Sequence, residues 1–170
     1  MKKPYSYFAR AIRGSRENLE NCRVIVAEMK KFSDVLNEHV VYDNVFEWET
    51  EWQRLHPNIS IYDRDMGWIE KSTVFVADVT AESLGVGYEI STAQHIGLAS
   101  AIFCHENMRN TRKYLAVEKE WIPFDIELYL RAKGISMPRF YYNENNVRQI
   151  AEKEIRNLFL GKVAQIVDKI

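Results

Sequence analysis

The sequence predicts an α/β fold, a Rossmann-like or flavodoxin-like three-layer sandwich built on a mainly parallel sheet of about five strands. Short apolar runs alternate along the chain with longer segments whose apolar residues recur at helical spacing. This alternation favours a sheet whose strands are buried on both faces by helices. At 170 residues the chain has the length of one domain, so a single domain over residues 1–170 is expected.

The first elements form a βα unit followed by a second strand. Tyr5 to Ala11 predicts the first strand, and Ser15 is a suitable N-cap for a helix with apolar positions from Leu19 to Phe32. Val35 to Val40 predicts a short second strand. The later predicted elements are helices over Asn44 to Leu55 and Ile59 to Lys71, a strand over Val74 to Val79, a helix to about His95, strands over Ser100 to Cys104 and Arg139 to Tyr142, and a closing helix from Val147 to Ile166.

Composition restricts the class of function. The formal net charge is -1 with 28% charged residues, so there is no basic excess for binding a nucleic acid polymer. The sequence shows neither a signal peptide nor an apolar run of membrane-spanning length, and a cytoplasmic protein is expected, with nuclear residence left open. Cys22 and Cys104 are expected to be buried thiols in a reducing compartment. No histidine has metal-ligand spacing, so neither a metal nor a cofactor is expected.

The segment after the third strand carries the strongest chemical signal. A helix that opens on Ser83 to Gly87 offers free backbone N–H groups, and Gly85 and Gly87 allow a phosphate or carboxylate to approach closely. Glu89 follows one turn later, on the same helical face as Ala93, which is expected to pack inward. The alternative is that Glu89 complements the helix dipole or pairs with a buried arginine.

A second loop at the same edge of the sheet follows the first strand. It contains Ala11, Ile12, Arg13 and Gly14, where an arginine can bind a phosphate bidentately and the glycine and helix start supply N–H donors. The alternative is a solvated basic turn that precedes the first helix.

Three further side chains fit a site beside these loops. Asp65 falls at helical spacing from Ile61 and Trp68 and therefore lies on the apolar side of its helix, although it can instead pair with the neighbouring Arg64. Tyr7, in the first strand, can orient a carboxylate or be an ordinary core tyrosine. His39 is expected to end the second strand at this edge and to contact a ligand.

Several segments together resemble a known family. They are Tyr7 to Glu17, Val35 to Val40, Asp63 to Trp68, Val76 to Thr80 and Ser83 to Glu89. In this order they resemble the 2'-deoxynucleoside 5'-monophosphate N-glycosidases of the nucleoside 2-deoxyribosyltransferase superfamily. The resemblance spans residues 5 to about 105, and the last strand and helix fit it loosely.

The resemblance implies hydrolysis of the N-glycosidic bond of a nucleoside monophosphate. Glu89 would be the nucleophile, Tyr7 would orient it, and Asp65 would assist protonation and departure of the base. The residues implied in binding the nucleotide are Ala11, Ile12, Arg13 and Gly14 of the first loop, Ser83 and Gly85 for the phosphate, and His39. Base exchange between deoxynucleosides, or nucleotide sensing without turnover, are the alternative functions.

The resemblance also implies a homodimer, in which a serine-bearing segment after the fourth strand reaches the partner's site. Here the stretch from Arg109 to Leu115 has no serine, so either Asn110, Thr111 or Lys113 replaces the hydroxyl or the substrate preference differs. The whole segment from His105 to Ser136 is expected to be mobile or to face a partner.

Overall fold

The computed structural model describes residues 2–12, 18–106 and 137–167, with side chains described as far as residue 161. In chain order its elements are β1 (Tyr5–Ala9), α1 (Leu19–Lys30), β2 (Asp34–Val35), a 3-10 helix (Glu38–Val41), α2 (Val45–Leu55), α3 (Ile61–Lys71), β3 (Val74–Asp78), α4 (Leu84–His95), β4 (Ala99–His105), β5 (Arg139–Tyr142) and α5 (Val147–Val167). None of the helices in this part of the chain is both long and apolar enough to span a membrane.

Within the described residues, one sheet contains five parallel strands in the order β2-β1-β3-β4-β5. Ser6 of β1 is paired with Val35 on one side and Val74 on the other, so β1 lies between β2 and β3. The strand order reverses there, and in flavodoxin-like sheets ligands bind beside this reversal, at the carboxyl ends of the strands. The predicted α/β fold class with its three layers and parallel sheet is confirmed.

Side chains alternate along each strand, so both faces of the sheet carry buried apolar residues, and a helical layer covers each face. Phe8 and Val76 face the layer of α1 and α5, whereas Tyr7 and Phe75 face the layer of α3 and α4. The buried helix residues of these two cores include Cys22, Ile25 and Met29 of α1, Ala151 and Ile155 of α5, Ile69 of α3, and Ile90 and Ala93 of α4. The candidate carboxylates Asp65 and Glu89 therefore belong to helices of one layer, the layer that Tyr7 faces.

The second strand is shorter than predicted, and this changes the position of His39. β2 ends at Val35, and His39 lies in the 3-10 helix rather than at the end of a strand, so that part of the prediction is wrong. The reason is Asn37, whose side-chain amide donates to the carbonyl oxygen of Phe8 at 2.7 Å and accepts from its N–H at 2.9 Å. These bonds satisfy the backbone N–H and carbonyl groups of Phe8 in β1, which a longer β2 would otherwise have bonded.

A buried polar network holds Asn18, the N-cap residue directly before α1. Asn18 donates from its amide to Asp78 at 3.1 Å, and the Tyr142 hydroxyl donates to the same carboxylate at 2.5 Å. The carboxyl ends of β3 and β5 are thereby tied to the first turn of α1. Ser15, the predicted N-cap, lies outside the described residues.

The remaining element boundaries agree with the sequence patterns to within two residues, but the buried face of α3 differs from the predicted one. Ile61 is exposed at the start of α3, so Asp65 lies at the margin of that helix's buried face rather than at its centre. The strand predicted over Tyr5 to Ala11 ends at Ala9. The segment from Arg109 to Leu115, with most of the stretch that was expected to face a partner, lies outside the described residues.

Candidate active site

Glu89 projects from the second turn of α4, beside the carboxyl ends of β1 and β3. The helix begins immediately after Ser83, whose hydroxyl oxygen accepts a hydrogen bond from the N–H of Val86 at 3.3 Å. This capping bond sets the entry of the chain into the helix. Val86, Ile90 and Ala93 are buried against the sheet, and Glu89 lies partly buried next to them. The packing of α4 therefore turns this carboxylate towards β1.

Tyr7 and Glu89 form the central contact of the site. The Tyr7 hydroxyl donates to Oε1 of Glu89 at 2.5 Å, and the Tyr7 ring is only 1% exposed and stacked on Phe75. Burial, together with the negative charges of Glu89 and Asp65, raises the pKa of the Tyr7 phenol well above its usual value. Tyr7 therefore stays protonated and acts as a hydrogen-bond donor to the carboxylate.

The protonation equilibrium of Glu89 lies close to neutral pH. Burial raises its pKa from 4.5 to about 7, and the charge of Asp65 adds to this, whereas the bond from Tyr7 and the charge of Arg64 oppose it. Among the described residues, no cationic side chain forms an ion pair with Glu89 and none donates to its Oε2. A carboxylate with a strongly raised pKa at a ligand-binding edge is a candidate for catalysis.

Asp65 approaches the same region from α3. Nε and Nη2 of Arg64 each lie 2.8 Å from its Oδ1, so the ion pair given as the alternative from the sequence is present. No described residue donates to Oδ2 of Asp65. Burial raises the pKa of Asp65, and the charge and hydrogen bond of Arg64 partly offset this effect. The charge of Asp65 in turn raises the pKa of Glu89, as expected for a carboxyl group with a second carboxylate nearby.

The sequence patterns did not identify Glu49 and Trp48, which contact Arg64 and His39 beside Asp65. Glu49 of α2 binds Arg64, and Trp48 stacks on His39 with ring centroids 3.6 Å apart. His39 is 3% exposed, and its Nε2 lies 2.7 Å from Glu49. It therefore contacts Glu49 and Trp48, beneath the surface. Trp48 and Trp52 in α2 were the one visible signal, and they indicated only a helix.

The two predicted phosphate loops are described to different extents. Arg13 and Gly14 lie outside the described residues, while Ala11 is buried and Ile12 packs partly buried against the core beneath α1. Arg10, before them, donates to the carbonyl oxygen of Val40 at 3.2 Å. The structure thus places the start of this loop against the protein interior.

The second loop and the start of α4 leave room beside their backbone. A Cβ built on Gly87 would meet no described atom within 4 Å, and on Gly85 only the Ser83 hydroxyl at 3.6 Å. Glycine costs a helix about 1 kcal/mol relative to alanine. Packing among the described residues therefore does not explain either glycine. Close approach of a ligand to the helix start would explain both.

Within the described part of the chain, no group of three or more His, Cys, Asp or Glu side chains is arranged to hold a metal ion. The carboxylates of the site are bonded to Tyr7 and Arg64 instead.

The fold and the site together define a class: a parallel α/β protein of flavodoxin-like strand order with a tyrosine-bound glutamate and a second carboxylate at the reversal of its sheet. Comparison with curated proteins makes this more specific. The chain is 37% identical over 98 residues to the 5-hydroxymethyl-dUMP N-hydrolase of Danio rerio, which is 58% of this chain and 65% of that protein. Over this part the chain is similar to proteins named as N-hydrolases of deoxynucleoside 5'-phosphates, and the resemblance inferred from its sequence is confirmed.

Two further relatives show the same similarity. The putative 2'-deoxynucleoside 5'-phosphate N-hydrolase 1 of Trichoplax adhaerens is 38% identical over 93 residues, covering 55% of this chain and 60% of its own length. The 5-hydroxymethyl-dUMP N-hydrolase of Homo sapiens is 37% identical over 94 residues, covering 54% and 51%. The chain thus spans between half and just under two thirds of these relatives. No family model matches it.

Proposed function

We propose that this protein hydrolyses the N-glycosidic bond of 2'-deoxynucleoside 5'-monophosphates to the free base and deoxyribose 5-phosphate. The names of its relatives support both the reaction and the substrate class. The single structural observation that carries the proposal is the hydrogen bond from Tyr7 to Glu89. It fixes one oxygen of a carboxylate at the edge of the sheet where ligands bind and leaves the other without a described donor.

Glu89 is the nucleophile in this proposal. Its ionised Oε2 attacks the anomeric carbon while the bond to the base breaks, and the electron pair of that bond leaves with the base. The negative charge also stabilises the positive charge that develops on the sugar. Tyr7 holds Oε1 so that Oε2 keeps its direction. Water then attacks the anomeric carbon, which releases the sugar phosphate and restores the carboxylate of Glu89.

Asp65 supplies the proton for the leaving base. In its protonated form it donates to the departing nitrogen base, and it takes a proton back from the attacking water in the second step. Burial raises the pKa of Asp65, which is the direction that a proton donor requires. General acid assistance of this kind contributes about 10²- to 10⁴-fold to a rate.

The start of α4 and the loop after β1 bind the 5'-phosphate in this proposal. The Ser83 oxygen accepts from Val86, so its hydroxyl hydrogen remains available to a phosphate oxygen. Gly85 lets the anion approach the backbone N–H groups of the helix start, and Arg13 and Gly14 complete the site from the other loop. Ala11 and Ile12 shape the base of that loop, and His39 lies beneath the site.

A homodimer in the cytoplasm belongs to the same proposal. Leu84 is 87% exposed, and Tyr62 and Tyr88 are exposed beside it with their hydroxyls 2.9 Å apart, which makes an apolar area next to the site that a second subunit would cover. Cys22 and Cys104 are buried and form no disulfide, as in a reducing compartment.

Incubation with a panel of deoxy- and ribonucleoside monophosphates, including 5-hydroxymethyl-dUMP, tests the proposed reaction. Chromatography should show free base and sugar phosphate in equal amounts with at least one deoxynucleotide, and Glu89→Gln should lower the rate by 10³-fold or more. A second free base in the mixture tests for exchange, because exchange would form a new nucleoside. Tight nucleotide binding without cleavage over days would contradict the proposal and favour a sensor.

A further inference from the structure

Arg64 has an unusual position for a residue that neighbours Asp65 in a helix. Adjacent residues on a helix point in different directions and do not normally contact each other through their side chains. Yet both Nε and Nη2 of Arg64 lie 2.8 Å from Oδ1 of Asp65, and the Arg64 side chain is only 3% exposed. Some other group must therefore hold the guanidinium in this position.

Glu49 is that group. Glu49 lies on α2, and its carboxylate accepts from both terminal nitrogens of the guanidinium, Nη1 of Arg64 at 2.7 Å and Nη2 at 2.9 Å. A bidentate pair fixes the plane of the guanidinium as well as its position. The Nε2 atom of His39 lies 2.7 Å from the same carboxylate and keeps Glu49 in place.

Three tryptophans enclose the guanidinium. Its central carbon lies 5.5 Å from the ring centroid of Trp48 and 4.7 Å from those of Trp52 and Trp68. These distances are within the range of cation–π contacts. The aromatic walls restrict the guanidinium to the position that Glu49 selects.

The pair of Glu49 and Arg64 is hard to explain by stability alone. Buried ion pairs seldom stabilise a protein more than apolar residues of the same volume, and here three indole rings already surround the position. Burial raises the pKa of Glu49, but bonds from His39 and Arg64 outweigh this and lower it to about 2. The lowered pKa makes Glu49 an anion at neutral pH.

We propose that Glu49 is a positioning residue for Asp65, which acts by holding Arg64 against Oδ1 so that Oδ2 faces the base of the nucleotide. This inference rests on the proposed function, which gives Asp65 its role. The charged or titratable groups around Asp65 are Arg64 on its own helix, Glu49 of α2, His39 of the 3-10 helix, Glu89 of α4 and Tyr7 of β1. Among them only Arg64 is shown to donate to Asp65.

The sign of a change in the Asp65 pKa distinguishes positioning from a simple charge effect. The charge and hydrogen bond of Arg64 lower this pKa, and the charge of Glu49 raises it. If Glu49 acted only through its charge, Glu49→Gln would lower the Asp65 pKa. If Glu49 positions Arg64, the glutamine can accept only one of the two bonds because its NH₂ group faces the other guanidinium N–H, so the guanidinium moves away and the pKa of Asp65 rises.

The test compares Glu49→Gln and Glu49→Asp with Glu51→Gln, a matched control on the same helix that removes an exposed partner of Arg54. Glu49→Asp keeps the negative charge but has a side chain one methylene group shorter, so its carboxylate no longer reaches Arg64 in the same way. Because it keeps the charge, it provides a second variant if the glutamine variant does not fold. Two properties are measured for each: kcat and KM for the cleaved nucleotide, and the titration midpoint of the Asp65 carboxyl carbon by ¹³C NMR, assigned with Asp65→Asn.

Positioning predicts that both Glu49 variants lower kcat by 10- to 100-fold with KM changed less than threefold, and that the Asp65 midpoint rises. The Glu51 control should match the wild type. If the Asp65 midpoint falls or stays constant in the Glu49 variants while the wild type cleaves nucleotide, the inference is wrong and the proposed function still holds. Absence of cleavage by the wild type would refute the function, and the NMR midpoints would still decide whether Glu49 positions Asp65.

Discussion

Replacing Glu89 by glutamine should make the folded protein more stable above neutral pH, although it removes the proposed nucleophile. The folded-state pKa of Glu89 is raised from 4.5 to about 7. Below pH 4.5 the carboxyl group is protonated in both the folded and the unfolded state. Between pH 4.5 and about 7 only the unfolded state loses its proton, so stability falls as the pH rises. Glutamine keeps the bond from Tyr7 and carries no charge.

The size of this effect follows from the shift in the pKa of Glu89. Each unit corresponds to about 1.4 kcal/mol, so the full shift corresponds to about 3 kcal/mol of lost stability above pH 7. For a chain of this length that is about 6 to 12 °C in Tm. The assay is thermal unfolding of both proteins from pH 4 to pH 8, because the difference between them removes the contribution of every other titrating group.

The difference in Tm should be small at pH 4 and should increase in favour of Glu89→Gln until about pH 8. Glu70→Gln is the matched control, because it makes the same exchange at an exposed position of α3. A Glu89→Gln curve parallel to that of the wild type would refute the reasoning, since it would show that folding does not suppress ionisation of Glu89.

Three further predictions concern residues around the site. Tyr7→Phe removes the bond that lowers the pKa of Glu89, so the acidic limb of kcat/KM should move up by about 1 to 2 pH units; superimposable pH profiles would contradict this. Gly87→Ala should raise the free energy of unfolding in urea by about 0.5 to 1 kcal/mol, because alanine favours a helix, and should weaken nucleotide binding. A lower free energy of unfolding would contradict the expectation that the added methyl group has room. Asn37→Ala should lower the same free energy by about 2 to 4 kcal/mol because the buried Phe8 backbone loses both partners, whereas a loss below 1 kcal/mol would show that water replaces them.

Local patterns in the sequence predicted most of the elements because these patterns act over a few residues. The apolar periods placed α2, α3, α4 and β5 within about two residues of their observed bounds. The Ser83 cap was predictable for the same reason, since a hydroxyl that bonds a backbone N–H three residues ahead needs no other part of the chain.

The second strand shows where such patterns fail. Val35 to Val40 has the composition of a strand, but the chain forms a 3-10 helix at Glu38–Val41. The side chain of Asn37 occupies the hydrogen-bonding groups of Phe8 that a longer strand would have used. Phe8 lies 29 positions away, so no local pattern contains this competition.

What the sequence determined by itself is most of the helices and strands, the fold class and the candidate carboxylates, because periodicity, capping and short motifs are properties of neighbouring residues. Tertiary structure decided that Tyr7 meets Glu89, 82 positions away, and that Glu49 meets Arg64, 15 positions away. It also decided the pKa of Glu89, because burial and neighbouring charge exist only after the sheet and both helical layers have come together.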